Sequence, residues 1–188
     1  MNEKNIITTN GKHIDVFDDI FSYTEADNIY YHLSNGFFKV NGTDNRYNND
    51  YQIYSNYSLG ELASFGFLDF DGFKYLNDRY GLLSDSRRII QIRTNFSTSA
   101  ENNKVHCDSM KGGITFLYYL NPTWDITWGG HTLFLNETLT DVEYTSLYTP
   151  NRAIVFDGSI PHLISTPNSN TEKPRLSLAI QLRDPIKN

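Results

Sequence analysis

The chain lacks several features that would point to particular protein classes. Only one of its 188 residues is a cysteine, Cys107, which excludes an internal disulfide framework and fits a reducing compartment. The formal net charge is -6 and no long basic run is present, so we expect no nucleic-acid partner. No stretch approaches the roughly 20 apolar residues of a membrane-spanning helix, and the N-terminal stretch has no apolar signal-peptide segment. We therefore expect a cytoplasmic protein without a membrane partner.

What is present indicates a globular protein. Hydrophobic residues make up 39% of the chain and aromatic residues 14%, which is enough for a packed core. The length predicts one domain over 1–188, whose character changes near residue 87. Residues 1–87 are expected to contain N-terminal strands and helical candidates at 24–36 and 59–81, each candidate closed by a glycine.

From residue 88 onward the pattern changes to short strands separated by Gly, Pro, Asn and Ser turns. We predict strands near 88–96, 103–107, 113–121, 131–136, 152–156, 161–166 and 174–182. Such a succession is typical of a sandwich or jelly roll. The predicted fold is mainly β, with a jelly-roll core over 88–183 and helices bracing one outer face.

A polar stretch rich in Asn and Tyr separates the two helical candidates, at 41–58. Its composition favours a solvated loop. The alternative is a lid over a pocket, because long loops in compact domains often have a function.

Two residues of ligand type, His106 and Asp108, stand two apart just before a strongly apolar segment. In an extended chain, residues i and i+2 point to the same face, so the imidazole and the carboxylate can reach one metal ion. Cys107 then points away and is interpreted as a small buried hydrophobe. Two residues cannot hold a metal alone, so a third ligand must come from elsewhere in the chain.

Two downstream histidines are candidates for that ligand. His162 opens a predicted strand after an Asp-Gly turn, a placement that suits a ligand on the rim of a β-barrel, and we prefer it. His131 begins another strand after two glycines and is interpreted as a surface residue or one that contacts a ligand. Two imidazoles and one carboxylate form the facial triad of non-haem Fe(II) oxygenases, which leaves three metal positions open.

A 2-oxo acid and O2 could fill the three open positions, and the distal carboxylate of the 2-oxo acid would then need a cation. Arg175 and Ser177 lie on one face of the last predicted strand, opposite an apolar face of alternating leucine and isoleucine. They are a candidate carboxylate clamp. The alternative is an edge strand whose polar face is merely wet. Arg93 and Asn95 share a face of an earlier strand and either line the pocket or form an ordinary polar strand face.

The order His106-x-Asp108, His162, Arg175 resembles the Fe(II)/2-oxoglutarate dioxygenases. The stretch "TFLYYLNPTWDITWGGHTLFLNE" is similar to their prolyl-4-hydroxylase-like branch, as is "RAIVFDGSIPH". The resemblance covers about residues 88–183. Collagen-type prolyl hydroxylases use lysine where Arg175 stands, and the interval from His162 to Arg175 is longer than expected.

The resemblance implies a double-stranded β-helix, a distorted jelly roll, with Fe(II) bound by His106, Asp108 and His162. It implies that 2-oxoglutarate and O2 are co-substrates, with ascorbate as a supporting reductant. Arg175 would pair with the distal carboxylate of 2-oxoglutarate, and the Tyr119 hydroxyl would help to hold it, although Tyr119 also fits a place in the core. The substrate would be a prolyl residue of a peptide or protein, or a free small molecule. The remaining alternative is a non-catalytic binding module.

Overall fold

A computed structural model of the chain describes residues 1–42, 51–84, 88–100, 103–109 and 113–184, without the side chains of 41, 42 and 51. Eleven strands and three α-helices are described within these ranges. The strands are β1 Asn2–Ile7, β2 His13–Asp18, β3 Lys39–Gly42, β4 Tyr51–Asn56, β5 Arg88–Ser97, β6 Ile114–Tyr119, β7 Thr132–Leu135, β8 Val142–Ser146, β9 Ala153–Asp157, β10 His162–Ile164 and β11 Arg175–Arg183. The helices are α1 Tyr23–Ser34, α2 Leu59–Ser64 and α3 Asp71–Tyr80.

The strands form two antiparallel sheets. The large sheet has the order β1-β2-β9-β6-β11-β5-β4-β3, and the small sheet has the order β10-β7-β8. The prediction of a mainly β fold with flanking helices is confirmed. The large sheet also takes in β1 to β4, so it extends beyond the predicted core of 88–183.

The large sheet is buried on both faces because its central strands carry apolar residues on each. On one face, alternate residues of β11, such as Leu178 and Ile180, join a core with Ile29 of α1, Leu62 of α2 and Phe73 of α3. On the other face, residues of β6 and β9 pack against Phe134 of the small sheet. The helices therefore brace the outer face, and the space between the two sheets is left for a site.

The helices begin and end where local chemistry favours it. Ser22 caps α1 in a capping box with Glu25, and Ser58 caps α2 in the same way with Glu61. The first helix therefore begins at Tyr23, one residue before its predicted start. Glycines with positive φ at 66 and 81 separate and end the later helical pieces, as predicted.

The stretch 41–58 is not the continuous loop that its composition favoured. Residues 39–42 and 51–56 are the paired strands β3 and β4, and β4 continues the sheet beside β5. Tyr and Ile favour strands, and Ser55 is buried in β4. These strand-forming residues therefore decide the structure of the segment despite its polar composition. The intervening part of the predicted lid, 43–50, lies outside the described residues.

The strand predicted at 103–107 is also wrong. His106 alone forms a bridge there, to His162, and the described residues beside it make no ladder. The other predicted strands of the core lie within two residues of their predicted bounds.

Candidate metal centre

The two histidines of the proposed triad are held together by their backbones. His106 N donates to His162 O at 3.0 Å, and His162 N donates to His106 O at 2.9 Å. Since residues paired in this way place their side chains on the same side, the two imidazole rings lie with centroids 4.4 Å apart. The preference for His162 as the third candidate ligand agrees with this placement.

Asp108 lies between the two imidazoles. Its Oδ1 is 3.7 Å from His106 Nε2, and its Oδ2 is 3.7 Å from His162 Nε2. The three ligand atoms lie within 4.8 Å of one another, and this is the one such cluster among the described His, Cys, Asp and Glu residues. Facing nitrogen and oxygen atoms at this separation leave room for an ion between them.

Backbone carbonyls set the tautomer of both histidines. His106 Nδ1 lies 3.0 Å from Lys104 O, and His162 Nδ1 lies 2.9 Å from Ile160 O. A carbonyl only accepts, so each Nδ1 carries the hydrogen and each Nε2 presents a lone pair toward Asp108. Burial lowers the pKa of His162, which also favours the neutral imidazole that a metal requires.

Two neighbouring side chains orient the Asp108 carboxylate. Thr115 Oγ1 donates to Asp108 Oδ2 at 2.6 Å, and Gln181 Nε2 donates to Oδ1 at 2.6 Å. Hydrogen bonds of this kind hold a ligating carboxylate in place and preserve its charge. Neither residue was predicted, although both lie on the inward faces of predicted strands. The donor set of two neutral imidazoles and an oriented carboxylate fits Fe(II).

The three candidate ligands differ in their exposure to solvent. The side chain of His106 is 53% exposed, whereas those of Asp108 and His162 are 6% and 7% exposed. Of the three candidate ligands, His106 is therefore the one most accessible from solvent.

A cavity of about 110 Å³ begins at this cluster and runs between the sheets to Thr132 and Ser177. Because roughly 10–15 Å³ measured in this way holds one water, the cavity has room for a small organic acid. Thr132 and Ser177 both contact the guanidinium group of Arg175, with Nη1 donating to Ser177 Oγ at 2.9 Å and Nη2 to Thr132 Oγ1 at 3.5 Å.

Arg175 is fully buried behind Thr132 and Ser177, which line the inner end of this cavity. Its Nε donates to Gly130 O at 2.7 Å, and its guanidinium lies over the rings of Tyr119 and Tyr148, at 5.2 and 5.0 Å from their centroids. No carboxylate pairs with it among the described residues. A buried cation without a counter-ion is costly, and an anionic ligand would relieve that cost.

Tyr119 lies behind Thr132 as seen from the cavity. Its hydroxyl donates to Thr132 Oγ1 at 2.8 Å, and its ring stacks on Tyr148 at 4.4 Å. Tyr119 is fully buried and also belongs to the core between the sheets. Thr132 therefore stands between the Tyr119 hydroxyl and the cavity where a carboxylate was predicted to bind. Thr132 itself was not predicted.

Arg93 and Asn95 both line the cavity, on the β5 face that points to the metal cluster. The Arg93 guanidinium lies 4.0 Å from the centroid of the Tyr54 ring. Their proposed contact with substrate stays a prediction.

The other residues that the sequence singled out lie outside the cluster. His131 Nδ1 accepts from Tyr148 N at 3.1 Å, and burial, followed by the charge of Arg175, lowers its pKa. Cys107 is half-buried with its Sγ 3.4 Å from Ser159 O, and burial raises its pKa. A protonated thiol directed at a carbonyl is not a metal ligand.

Comparison with solved structures places this arrangement in a known fold. A 2OG-Fe(II) oxygenase-family oxidoreductase from Burkholderia pseudomallei superposes with a TM-score of 0.65 at 12% identity, covering 90% of this chain and 84% of that one. A Trichoplax adhaerens prolyl hydroxylase, in complex with a peptide fragment of the hypoxia inducible factor oxygen degradation domain, gives 0.62 at 15% identity, covering 91% and 83%. The fold is that of the 2OG-Fe(II) oxygenases.

Other neighbours with this fold carry out different reactions. The non-heme alpha-ketoglutarate-dependent epimerase SnoN from nogalamycin biosynthesis gives a TM-score of 0.58 at 12% identity, covering 91% of this chain and 78% of that one. Neither a protein-family model nor a curated protein sequence matches this chain. The predicted double-stranded β-helix is confirmed as a fold, whereas the substrate is not determined by it.

No helix in the described ranges is both long and apolar enough to cross a membrane.

Proposed function

We propose that the chain is an Fe(II)- and 2-oxoglutarate-dependent dioxygenase that hydroxylates an unactivated C–H bond. The observation that carries this proposal is the pair of Nε2 lone pairs facing the Asp108 carboxylate, with all three ligand atoms within 4.8 Å. His106, Asp108 and His162 would occupy one face of the ion and leave the other positions to small molecules.

The bound iron would supply the oxidation, in which 2-oxoglutarate and O2 become succinate and CO2 while one oxygen atom enters the C–H bond of the substrate. The protein contributes orientation. Arg175 and Ser177 would bind the distal carboxylate of 2-oxoglutarate at the inner end of the cavity, and Tyr119 would hold Thr132 in place beside it. Thr115 and Gln181 keep the Asp108 carboxylate turned toward the imidazoles.

A prolyl residue of a peptide or protein is the proposed substrate. The support is the shared fold with a prolyl hydroxylase whose structure contains a peptide. The exposed His106 side of the cluster would admit an extended peptide. A free small molecule is the second candidate, and the polar cavity lining beside Arg93 favours it. A non-catalytic module is disfavoured because each candidate ligand and the buried arginine are present.

The experiment is turnover of 2-oxoglutarate by the purified protein with Fe(II), O2 and ascorbate. We expect succinate release even without a substrate, and a mass gain of one oxygen when candidate peptides and amino acids are added. His162→Gln should lose both metal binding and succinate release. The matched control is His13→Gln, which changes an exposed histidine outside the cluster. Absence of succinate across the screen, together with absence of Fe(II) or Mn(II) binding by calorimetry, would refute the proposal.

A further inference from the structure

Arg93 is the one arginine or lysine that lines the metal-cluster cavity among the described residues. It is half-buried on β5, and no described carboxylate forms an ion pair with it. With the Gln91 amide in its satisfied orientation, Arg93 Nε donates to the Gln91 oxygen at 2.8 Å and Nη2 donates to the same oxygen, while Nη1 lies 3.4 Å from Gln52 Oε1. Amide oxygens orient the guanidinium but leave its charge unneutralised.

The burial of Arg93 has a cost that these contacts do not offset. Desolvation lowers its pKa, against smaller opposing effects of Tyr54 and Asp108. Asp108 is the one carboxylate among the described residues that line the cavity, and a metal ion would use its charge. The protein thus places a partly desolvated cation beside the metal cluster without an anion to match it.

A second polar group in the same cavity has an unsatisfied donor. The side-chain Nδ2 of Asn103 is buried and makes no hydrogen bond within the described part of the chain, and Asn103 lines the cavity together with Arg93. A buried amide N–H without an acceptor costs about 1–3 kcal/mol, so such groups normally have a partner. Asn103 therefore requires an acceptor, and Arg93 requires a negatively charged group to match its own charge.

The distal carboxylate of the co-substrate does not supply this acceptor. In the proposed function, one end of 2-oxoglutarate binds the metal and its distal carboxylate binds Arg175, at the inner end of the cavity. Arg93 belongs to a different part of the lining, beside Gln52 of β4. The remaining molecule in the site is the primary substrate.

We propose that the primary substrate carries a carboxylate, which Arg93 binds as an ion pair while Asn103 donates a further hydrogen bond. This inference rests on the proposed function and specifies the substrate class. A planar guanidinium fork binds a carboxylate through two parallel hydrogen bonds, so Arg93 would fix the orientation of the substrate above the metal. The carboxylate belongs either to a free acid, such as an amino acid, or to an acidic side chain or C-terminus of a peptide.

The test measures binding without turnover. The protein is loaded with Mn(II) and 2-oxoglutarate under anaerobic conditions, and binding is followed by ligand-detected NMR. One set of probes contains the twenty free amino acids and their carboxamides. A second set contains blocked pentapeptides with Asp or Glu and their Asn or Gln counterparts, as well as peptides with free or amidated C-termini.

We expect at least one carboxylate to bind the wild-type protein and its carboxamide to bind about 10- to 150-fold more weakly, as for hydrogen bonds to charged groups. Arg93→Gln should remove this preference, and Arg93→Lys, which keeps the charge but loses the fork, should retain part of it. Asn103→Leu should weaken the same probe. Arg88→Gln, an exposed arginine on the same strand, is the matched control and should bind like wild type.

Several results would overturn the inference. They are equal binding of carboxylates and carboxamides, an unchanged preference in Arg93→Gln, or no bound probe in a protein that does bind Mn(II) and 2-oxoglutarate. Failure to bind Mn(II) or 2-oxoglutarate would instead refute the proposed function, and the inference would fall with it. The set of probes that binds decides between a free acid and a peptide.

Discussion

Replacement of Arg175 by methionine tests the proposed co-substrate site most directly. Methionine has a similar length and no charge, so the core around Tyr119 and Tyr148 keeps most of its packing. The guanidinium is fully buried, and it would pair with a carboxylate that is itself removed from water. Loss of one partner of such a pair costs about 2–5 kcal/mol. The affinity for 2-oxoglutarate should therefore fall by roughly 30-fold to several thousand-fold.

The assay is calorimetric titration of Mn(II)-loaded protein with 2-oxoglutarate in the absence of O2. Mn(II) affinity, measured separately, should be nearly unchanged because the contacts of Arg175 do not include a metal ligand. Arg183→Met, an exposed arginine at the end of the same strand, is the matched control. Arg152 is already paired with Asp18 at 2.6 Å, so it is a poor substitute. An affinity of Arg175→Met within about threefold of wild type, well below the roughly 30-fold minimum expected, would refute the carboxylate clamp.

Three further variants test the metal ligand and the fold around it. Asp108→Gly removes the anionic ligand, so we expect loss of Mn(II) binding and of succinate release, and a variant that keeps both would refute the triad. In the wild-type protein the same ligand occupies the position that a halide would need, so mass spectrometry should detect hydroxylation and no chlorination at high chloride. Leu178→Ala empties a fully buried site in β11 and should lower the free energy of unfolding by about 2–5 kcal/mol in urea, whereas a loss below about 1 kcal/mol would contradict the packing described. Gly113→Ala places a Cβ against the Leu182 carbonyl oxygen at φ +105° and should cost about 1–3 kcal/mol in the same assay; an unchanged urea midpoint would show that this backbone can adjust.

The central strands and the proposed ligands were predictable because the alternation of apolar and polar residues along a strand indicates both. Along β11 a strict alternation puts leucine and isoleucine on the helix-packed face and Arg175 and Ser177 on the other, and the structure has that arrangement. His162 was predictable from its place at the start of a strand. In each case, side chains that alternate between apolar and polar along the strand also alternate between the two faces of the sheet.

The supporting polar residues were harder to predict. Thr115 and Gln181 lie on the inward faces of β6 and β11, so the alternation could have indicated them. Their hydrogen bonds to Asp108, however, form only because β6 and β11 pair in the register that the structure shows. Thr132 contacts Arg175 only because the small sheet packs over the large one. Such contacts depend on how the two sheets assemble, and the alternation of residues within one strand does not specify that assembly.

Three strands at or next to the edges of the sheets were missed for a different reason. β3 and β4 are rich in polar residues, and β8 is short and largely exposed, so burial contributes little to their patterns. These strands form by pairing with a neighbour that already exists. Backbone hydrogen bonds leave no clear mark in a single sequence.

The reciprocal pairing of His106 with His162 joins two parts of the chain that are distant in sequence. An ion between their rings would act as a cross-link that closes the long intervening loop, which contains four strands. Because an unfolded chain does not hold these ligands together, the free energy of metal binding would add to the stability of the folded state. Chelation would therefore stop the reaction and also lower the free energy of unfolding, because residues 106 and 162 would then be joined at this point by two backbone hydrogen bonds alone.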